Sequence, residues 1–301
     1  TRDSVTILDE FGKTAEREVK VSELTIDAVR RGNFRHFMQK EIYEQPDAIA
    51  ETLSGRIAKG KVFDAAFGAD AANILDKVKA IHIIACGTSY HAGIVARYWI
   101  EEMCRIPCMV EIASEYRYRT PVVSDDTLFV AISQSGETAD TLAAMNVAKQ
   151  LDYLAIMTIC NAPESSMVRQ SDLAVMTNAG PEIGVASTKA FTTQLTVLAL
   201  LSIALARRAG LEEKQEQKFV AQLSDLPKIS KQILSMDESI KLLAKNFVDK
   251  DNIIFLGRGT QNAIAMEAAL KLKETSYIHA EAYAAGELKH GPLAMVDEDM
   301  P

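Results

Sequence analysis

Basic charge is in short supply. The chain carries 33 Lys and Arg against 41 Asp and Glu, a formal net charge of −8 over 301 residues. Sequence-independent nucleic-acid binding needs a basic face to neutralise phosphates, so no nucleic-acid partner is expected, and only a local site could attract an anionic ligand. Long apolar runs are also missing. The longest, Leu195 to Ala206, covers 12 residues, contains Thr196 and Ser202 and stops at Arg207 and Arg208. A membrane span needs ~20, so this stretch reads as a buried helix and no membrane partner is expected. No basic segment leading into an apolar one opens the chain, so nothing marks it for secretion. Cysteine is scarce: Cys86, Cys104, Cys108 and Cys160 form no CxxC pair and have no His at zinc-finger spacing. Neither a metal site nor a disulfide framework is expected, and a reducing, cytoplasmic setting fits them. The phosphate-loop pattern GxxxxGK[ST] does not occur. Gly257-Arg258-Gly259-Thr260-Gln261-Asn262 opens like a dinucleotide fingerprint but has Asn where the third Gly belongs, so no nicotinamide cofactor is expected.

What is present is the composition of a soluble globular protein, 48% hydrophobic and 25% charged. The first residues read as two short β-prone runs, Val5 to Leu8 and Glu18 to Val21, around the turn-like Asp9-Glu10-Phe11-Gly12, as if they were the tail of something upstream. From Ile26 to Lys59 apolar residues recur at helical spacing (Phe34, Phe37, Met38, Ile42; Ile49, Leu53, Ile57). Pro46-Asp47 is expected to start a second helix there and Gly60 to end it. Strand and helix signals then alternate: strands at Ala80–Ala85, Cys108–Ile112, Thr127–Ser133 and Tyr153–Cys160, helices at His91–Met103 and Thr138–Gln150. The strands are continuous apolar runs, as in a parallel sheet covered on both faces, so the fold class is α/β and layered. An internal repeat adds to this. Ile83 to Thr88 overlays Ile253 to Arg258 at an offset of 170 residues, and the same offset carries Glu111 onto Glu281. Two similar halves are expected, joined by a helical connection over Gln215 to Leu243. The counterpart of Ser133 would fall past Pro301, so the second half is expected to be incomplete.

Three loops carry chemistry. Ser133-Gln134-Ser135-Gly136-Glu137-Thr138 lies where a buried strand ends and a helix begins, and free backbone N–H groups with three hydroxyls there form an anion cradle. Capping alone would explain one Ser or Thr. Cys86-Gly87-Thr88-Ser89 repeats this arrangement, and Gly184-Val185-Ala186-Ser187-Thr188-Lys189 supplies a third small, polar loop. Singly each suits capping; together they describe a hydroxyl-lined pocket for a phosphorylated polyol, in the crevice beyond the strand ends. Lys271 and Glu274 share a helix face, which on spacing alone suits a surface ion pair. His290 precedes Gly291-Pro292, where capping a helix end competes with a functional role. His82 reads as a satisfied core residue, and His36, His91 and His279 as structural.

These segments in this order resemble the isomerase half of the glutamine–fructose-6-phosphate aminotransferases. The matching stretches are HFMQKEIYEQP (36–46), CGTSYHAG (86–93), VEIASEYRYR (110–119), SQSGETADT (133–141), GVASTKAFTTQ (184–194), LGRGTQNAIAMEAALKLKE (256–274) and IHAEAYAAGELKHGP (278–292). The resemblance implies two sugar-isomerase (SIS) domains, each a five-stranded parallel sheet between helices. It divides the chain into 1–25 (tail of a glutaminase domain and linker), 26–75 (helical arm), 76–225 (first SIS domain) and 226–301 (start of the second). It implies that Gly87, Thr88, Ser89, Ser133, Gln134, Ser135, Thr138, Val185 and Ser187 hold fructose-6-phosphate or glucosamine-6-phosphate. By the same resemblance Glu274 moves a proton between C1 and C2, Lys271 offsets developing charge or relays a proton, and His290 assists ring opening from the neighbouring subunit of a homodimer. No metal or redox cofactor is implied. The family's ammonia-releasing glutaminase domain would lie before residue 1 and its Schiff-base lysine after Pro301, so activity is expected of the intact protein. The competing class is a non-catalytic SIS module that senses a sugar phosphate.

Overall fold

Runs such as Ala80–Ala85 and Thr127–Ser133 lack polar alternation because each residue must be buried whichever way it points. The computed structural model, which describes residues 4–16, 30–297 and 300–301, bears this out. Residues 31–301 form one compact unit and residues 1–30 another. In the larger unit, helix α1 (Phe37–Leu53) leads into a small hairpin of β1 (Ile57–Ala58) and β2 (Lys61–Val62), a 3₁₀ turn at Asp64–Phe67 and the short α2 (Ala71–Leu75). There follow β3 (Ala80–Ala85), α3 (Gly87–Cys104), β4 (Cys108–Ile112), α4 (Ala113–Tyr116), β5 (Thr127–Ser133), α5 (Ala139–Ala148), β6 (Ala155–Cys160), α6 (Ser166–Arg169) and β7 (Leu173–Met176). These strands make one five-stranded parallel sheet in the order β4-β3-β5-β6-β7. Ile81, Ile83, Leu128, Val130 and Ile132 face one core, shared with α7 (Lys189–Arg208). Ile84, Phe129 and Ala131 face the other, shared with Ala144 and Met145 of α5. The long apolar α7 could by length and composition cross a membrane, but it is mostly buried in the protein core.

Helices α8 (Glu213–Leu234) and α9 (Asp237–Ala244) form the expected connection, and the boundary drawn at 225/226 falls inside α8. Beyond them β8 (Asn252–Gly257), α10 (Thr260–Ser276) and β9 (His279–Ala284) repeat the opening of the first half. Ile84 pairs with Glu111 in the first sheet, and Ile254 pairs with Glu281 in the second, both parallel. Each partner is thus displaced by the same 170 residues, and the repeat holds at the level of strand register.

Several elements differ from expectation. Pro46 does not start a new helix: α1 runs through it for 17 residues. Proline removes the amide that would bond the carbonyl of Ile42, and the Gln45 side chain supplies a donor to that carbonyl instead, at 3.0 Å. Ile57, placed at the end of the helical pattern, belongs to the hairpin, because the chain leaves helix at Ser54. Strand β6 starts at Ala155, while the Tyr153 hydroxyl bonds His82. Strand β7 is too short to signal itself and forms by pairing with β6. In the small unit Val5 to Leu8 is no strand beyond a single bridge of Leu8 with Thr14, and the Asp9 carboxylate accepts the amides of Phe11 and Lys13, as a turn requires. Glu18 to Val21 and the start of the arm at Ile26 lie outside the described residues.

The C-terminus of α7 is tied both to the elements before the sheet and to α8 after it. Arg207 reaches Asp64 at 2.6 Å and Glu216 at 3.1 Å, and Arg208 reaches Asp64 at 3.1 Å and Asp76 at 2.7 Å. Two cations at a helix C-terminus also complement its dipole. Burial works to raise the Asp64 pKa, but the Arg208 hydrogen bond and the two guanidinium charges prevail and hold it below the ordinary value. A carboxyl group depressed by folding stabilises above its unfolded pKa of about 3.9 and ceases to do so as the pH falls through its folded value. Asp64→Asn is therefore expected to cost about 1.5 to 3 kcal/mol at pH 7 in urea unfolding. The gap to wild type should close as the pH drops below about 4; a gap that persists unchanged to pH 3 would refute the role of this carboxylate.

Candidate active site

In an open parallel sheet the chain departs to opposite sides from the strand where the order reverses, and a crevice opens at the carboxyl ends there. Here β3 is that strand, with β4 on one side and β5 on the other. The loops leaving β3 and β5 are Cys86–Ser89 and Ser133–Thr138. Together with the 185–187 loop and α10 they enclose a cavity of ≈ 220 Å³ lined by Cys86, Thr88, Ser89, Ile132, Ser133, Gln134, Ser135, Thr138, Val185, Ser187, Lys271 and Glu274. Every residue expected at the site lines it except Gly87, which borders a neighbouring cavity, and His290, which is exposed in a 3₁₀ turn. Among the described residues no three His, Cys, Asp or Glu side chains gather as a metal would require.

The Ser133–Thr138 loop is built around its own polar groups. Ser133, 3% exposed, accepts the Gly136 amide at 3.0 Å and shares a hydrogen bond of 3.0 Å with the Thr138 hydroxyl. Thr138 occupies the N-cap position of α5 but makes no capping bond, and neither does Cys86 before α3. Helix capping therefore does not account for the hydroxyls of this loop, and the first amides of α5 keep their donors for a ligand. The third loop differs. Glu182 accepts the amides of Thr188 and Ala190 at 2.8 and 3.1 Å and the Ser187 hydroxyl at 3.0 Å, so the positive end of α7 already faces a carboxylate.

The far wall comes from α10. Lys271 Nζ is buried and lies 2.5 Å from Glu274 Oε2 and 3.5 Å from Glu267 Oε1, in hydrogen-bond alignment with neither. The Lys271 side chain is 19% exposed and that of Glu274 32%, so the ammonium is shielded while the carboxylate stays open to solvent. Behind them Glu267, 6% exposed, accepts the Thr88 hydroxyl at 2.9 Å and meets His91 Nδ1 at 2.7 Å. Glu267 escaped the sequence reading, while His91, read as structural, is its partner. Glu267 was legible in part, since it stands four residues before Lys271 on the same helix face; its union with His91 joins residues 176 apart. Gln194, also missed, donates to Ser89 at 3.0 Å and leaves that hydroxyl's own proton to donate elsewhere. His82 is the satisfied core residue anticipated, bonded to Tyr153 and Glu111, and burial lowers its pKa despite the carboxylate.

A hydroxyl-lined cavity at the switch point of a parallel sheet, closed by a helix from a second similar half, defines the class. The SIS domain model matches residues 74–204 and 246–301, and the chain belongs to that family. More particularly, it is 57% identical over its whole length to glutamine–fructose-6-phosphate aminotransferase [isomerizing] of Shewanella oneidensis and 58% identical to that of Escherichia coli (strain K12), spanning 49% of the length of each. It superimposes on the C-terminal domain of glucosamine-fructose-6-phosphate aminotransferase from Francisella tularensis with a TM-score of 0.89 and 51% identity, over 91% of this chain and 77% of that one. The resemblance seen in the sequence motifs thus extends along the whole chain.

Gly136 sets the tightest tolerance of the site. Its φ is +64°, and a Cβ there would stand 2.1 Å from Ser165 Oγ and 2.7 Å from Cys160 Sγ. Gly136→Ala is expected to lower stability by about 1 to 3 kcal/mol through overpacking and backbone strain. Gly286→Ala, where a Cβ would meet no atom within 4 Å, should change it by less than about 0.5 kcal/mol. Equal unfolding midpoints for the two variants would contradict the packing described.

Proposed function

We propose that this chain is the sugar-processing part of an enzyme that converts fructose-6-phosphate to glucosamine-6-phosphate with ammonia released from glutamine elsewhere in the intact protein. The observation that carries the reading is the meeting, in one cavity, of a phosphate-sized cradle and the Lys271–Glu274 pair. The phosphate sits in the Ser133–Thr138 loop, since the start of α5 has free donors whereas the start of α7 faces Glu182. Thr88, Ser89, Gln134, Val185 and Ser187 line the remaining space and take the sugar chain.

Aldose–ketose interconversion is a proton shift between adjacent carbons. Glu274 removes the proton from C1 and returns it to C2, and the Lys271 ammonium beside it offsets the negative charge that develops between the two steps. The exposure of His290 suits a residue that acts in a neighbouring copy, so the working unit is a two-fold dimer whose sites each draw on both chains. A sensing module would need the cradle alone. The buried ammonium poised on a carboxylate at the cavity wall favours the enzyme.

Calorimetry on the full-length protein tests the cradle: the double variant Ser135→Ala, Thr138→Ala should lose sugar-phosphate affinity, with about 1.5 to 3 kcal/mol per hydrogen bond to the charged group. Unchanged affinity would sink the assignment. For the chemistry, Glu274→Gln should leave binding within a few-fold but slow isomerisation by ~10² to 10⁴. Mixing subunits of Glu274→Gln with subunits of His290→Ala should restore up to about a quarter of wild-type turnover, because half the dimers are mixed and one site in each is intact. Near-normal turnover of the Glu274 variant would refute its role as the base, whereas a wild-type protein that binds the sugar phosphate without turning it over would favour the sensing module.

A further inference from the structure

The segment 36–46 matches the family yet has no part in the site as read from sequence; the structure assigns it one. We propose that Glu41 of α1 is a positioning residue for the sugar-phosphate site, holding the 183–187 loop where Val185 and Ser187 can line the cavity. Glu41 is 2% exposed. Its Oε1 accepts the backbone amides of Ile183 at 2.5 Å and Gly184 at 3.0 Å. Its Oε2 is buried without a hydrogen-bond partner. The approach is close: a Cβ on Gly184 would lie 2.5 Å from that Oε2 and 3.4 Å from the Met38 backbone, so only glycine lets the loop settle on α1.

A buried carboxylate is costly unless it is well hydrogen-bonded, and here its bonds go to the backbone of a site loop and to nothing else described. The loop needs such an anchor. It lies between the end of β7 and the start of α7 without regular structure, and Val185 at its tip is fully exposed and packs on nothing. From within, Glu182 ties it to α7. From outside, α1 fastens the same stretch at three points along its length: Glu41 holds Ile183 and Gly184, Glu44 pairs with the buried Lys189 at 2.7 Å, and the Thr52 hydroxyl donates to the Thr177 carbonyl at 2.6 Å. Helix α1 is thus the template on which the third wall of the cavity is set, and Glu41 is its contact nearest Val185.

The inference rests on the sugar-phosphate reading, and its test separates the two. In the full-length protein, Glu41→Ala removes the acceptor, whereas Glu41→Gln keeps an oxygen for both amides. Amide hydrogen exchange across 183–187, measured without ligand, should quicken at least about tenfold in Glu41→Ala and stay within about twofold of wild type in Glu41→Gln. In steady-state assays Glu41→Ala should raise KM for fructose-6-phosphate about tenfold and change kcat less than about threefold, with Glu41→Gln restoring KM. A general loss of packing would instead lower kcat and quicken exchange throughout, and Gln would not rescue it; that outcome overturns the proposal. So does unchanged exchange or KM in Glu41→Ala. A wild-type protein that shows loop exchange as expected but no sugar-phosphate turnover overturns the functional reading and leaves the anchoring of the loop upheld.

Discussion

The structure turns on the buried carboxylate of Glu267. One oxygen takes the Thr88 hydroxyl and the other His91, both from α3, while Lys271 of its own helix stands 3.5 Å away. A charge taken out of water needs such partners, and losing one leaves the rest uncompensated. Because Thr88 and His91 come from the first half of the chain and the carboxylate from the second, satisfying Glu267 also docks α10 onto α3. Ile94, Val95 and Ala263 seal the junction with an apolar contact. Lys271 and Glu274 reach the cavity only because this junction sets the rotation of α10.

The opposite wall follows a different rule. Parallel strands with both faces covered must be connected by helices, so every crossover delivers a helix N-terminus to the carboxyl edge of the sheet. At the reversal point two such termini, those of α3 and α5, open into one crevice, and neither has a side-chain cap. The hydroxyls nearby are held by each other and by Gln194, which fixes their positions while leaving protons and lone pairs to a ligand. A rigid cradle of this kind pays its ordering entropy during folding, before any ligand arrives.

Two buried histidines show how little residue type alone decides. His82 and His91 each meet a carboxylate, at 2.8 and 2.7 Å. His82 does so beneath α4, among Tyr116, Phe129 and Tyr153, and contributes to the core. His91 does so one helical turn from Thr88, and its carboxylate is the one that links the cavity walls. Both sit in apolar stretches of sequence, and only their partners, distant along the chain, distinguish them.

The amino-acid sequence by itself determined the α/β class, the bounds of β3, β4 and β5, the repeat, and the hydroxyl loops, because each is written in contiguous residues: apolar runs for strands, small and hydroxyl residues where a strand meets a helix. It misjudged α1 at Pro46, where a neighbouring side chain replaces the lost amide donor, and passed over β7, whose four residues gain their structure from β6. The tertiary structure alone decided that the Lys271 ammonium is buried, that Glu267 and His91 form a pair, and that Glu41 grips a loop 142 residues away. Those contacts join segments that local propensity treats as independent. A buried charge finds its partner only when packing has removed water from both, and no pattern within either segment records that event.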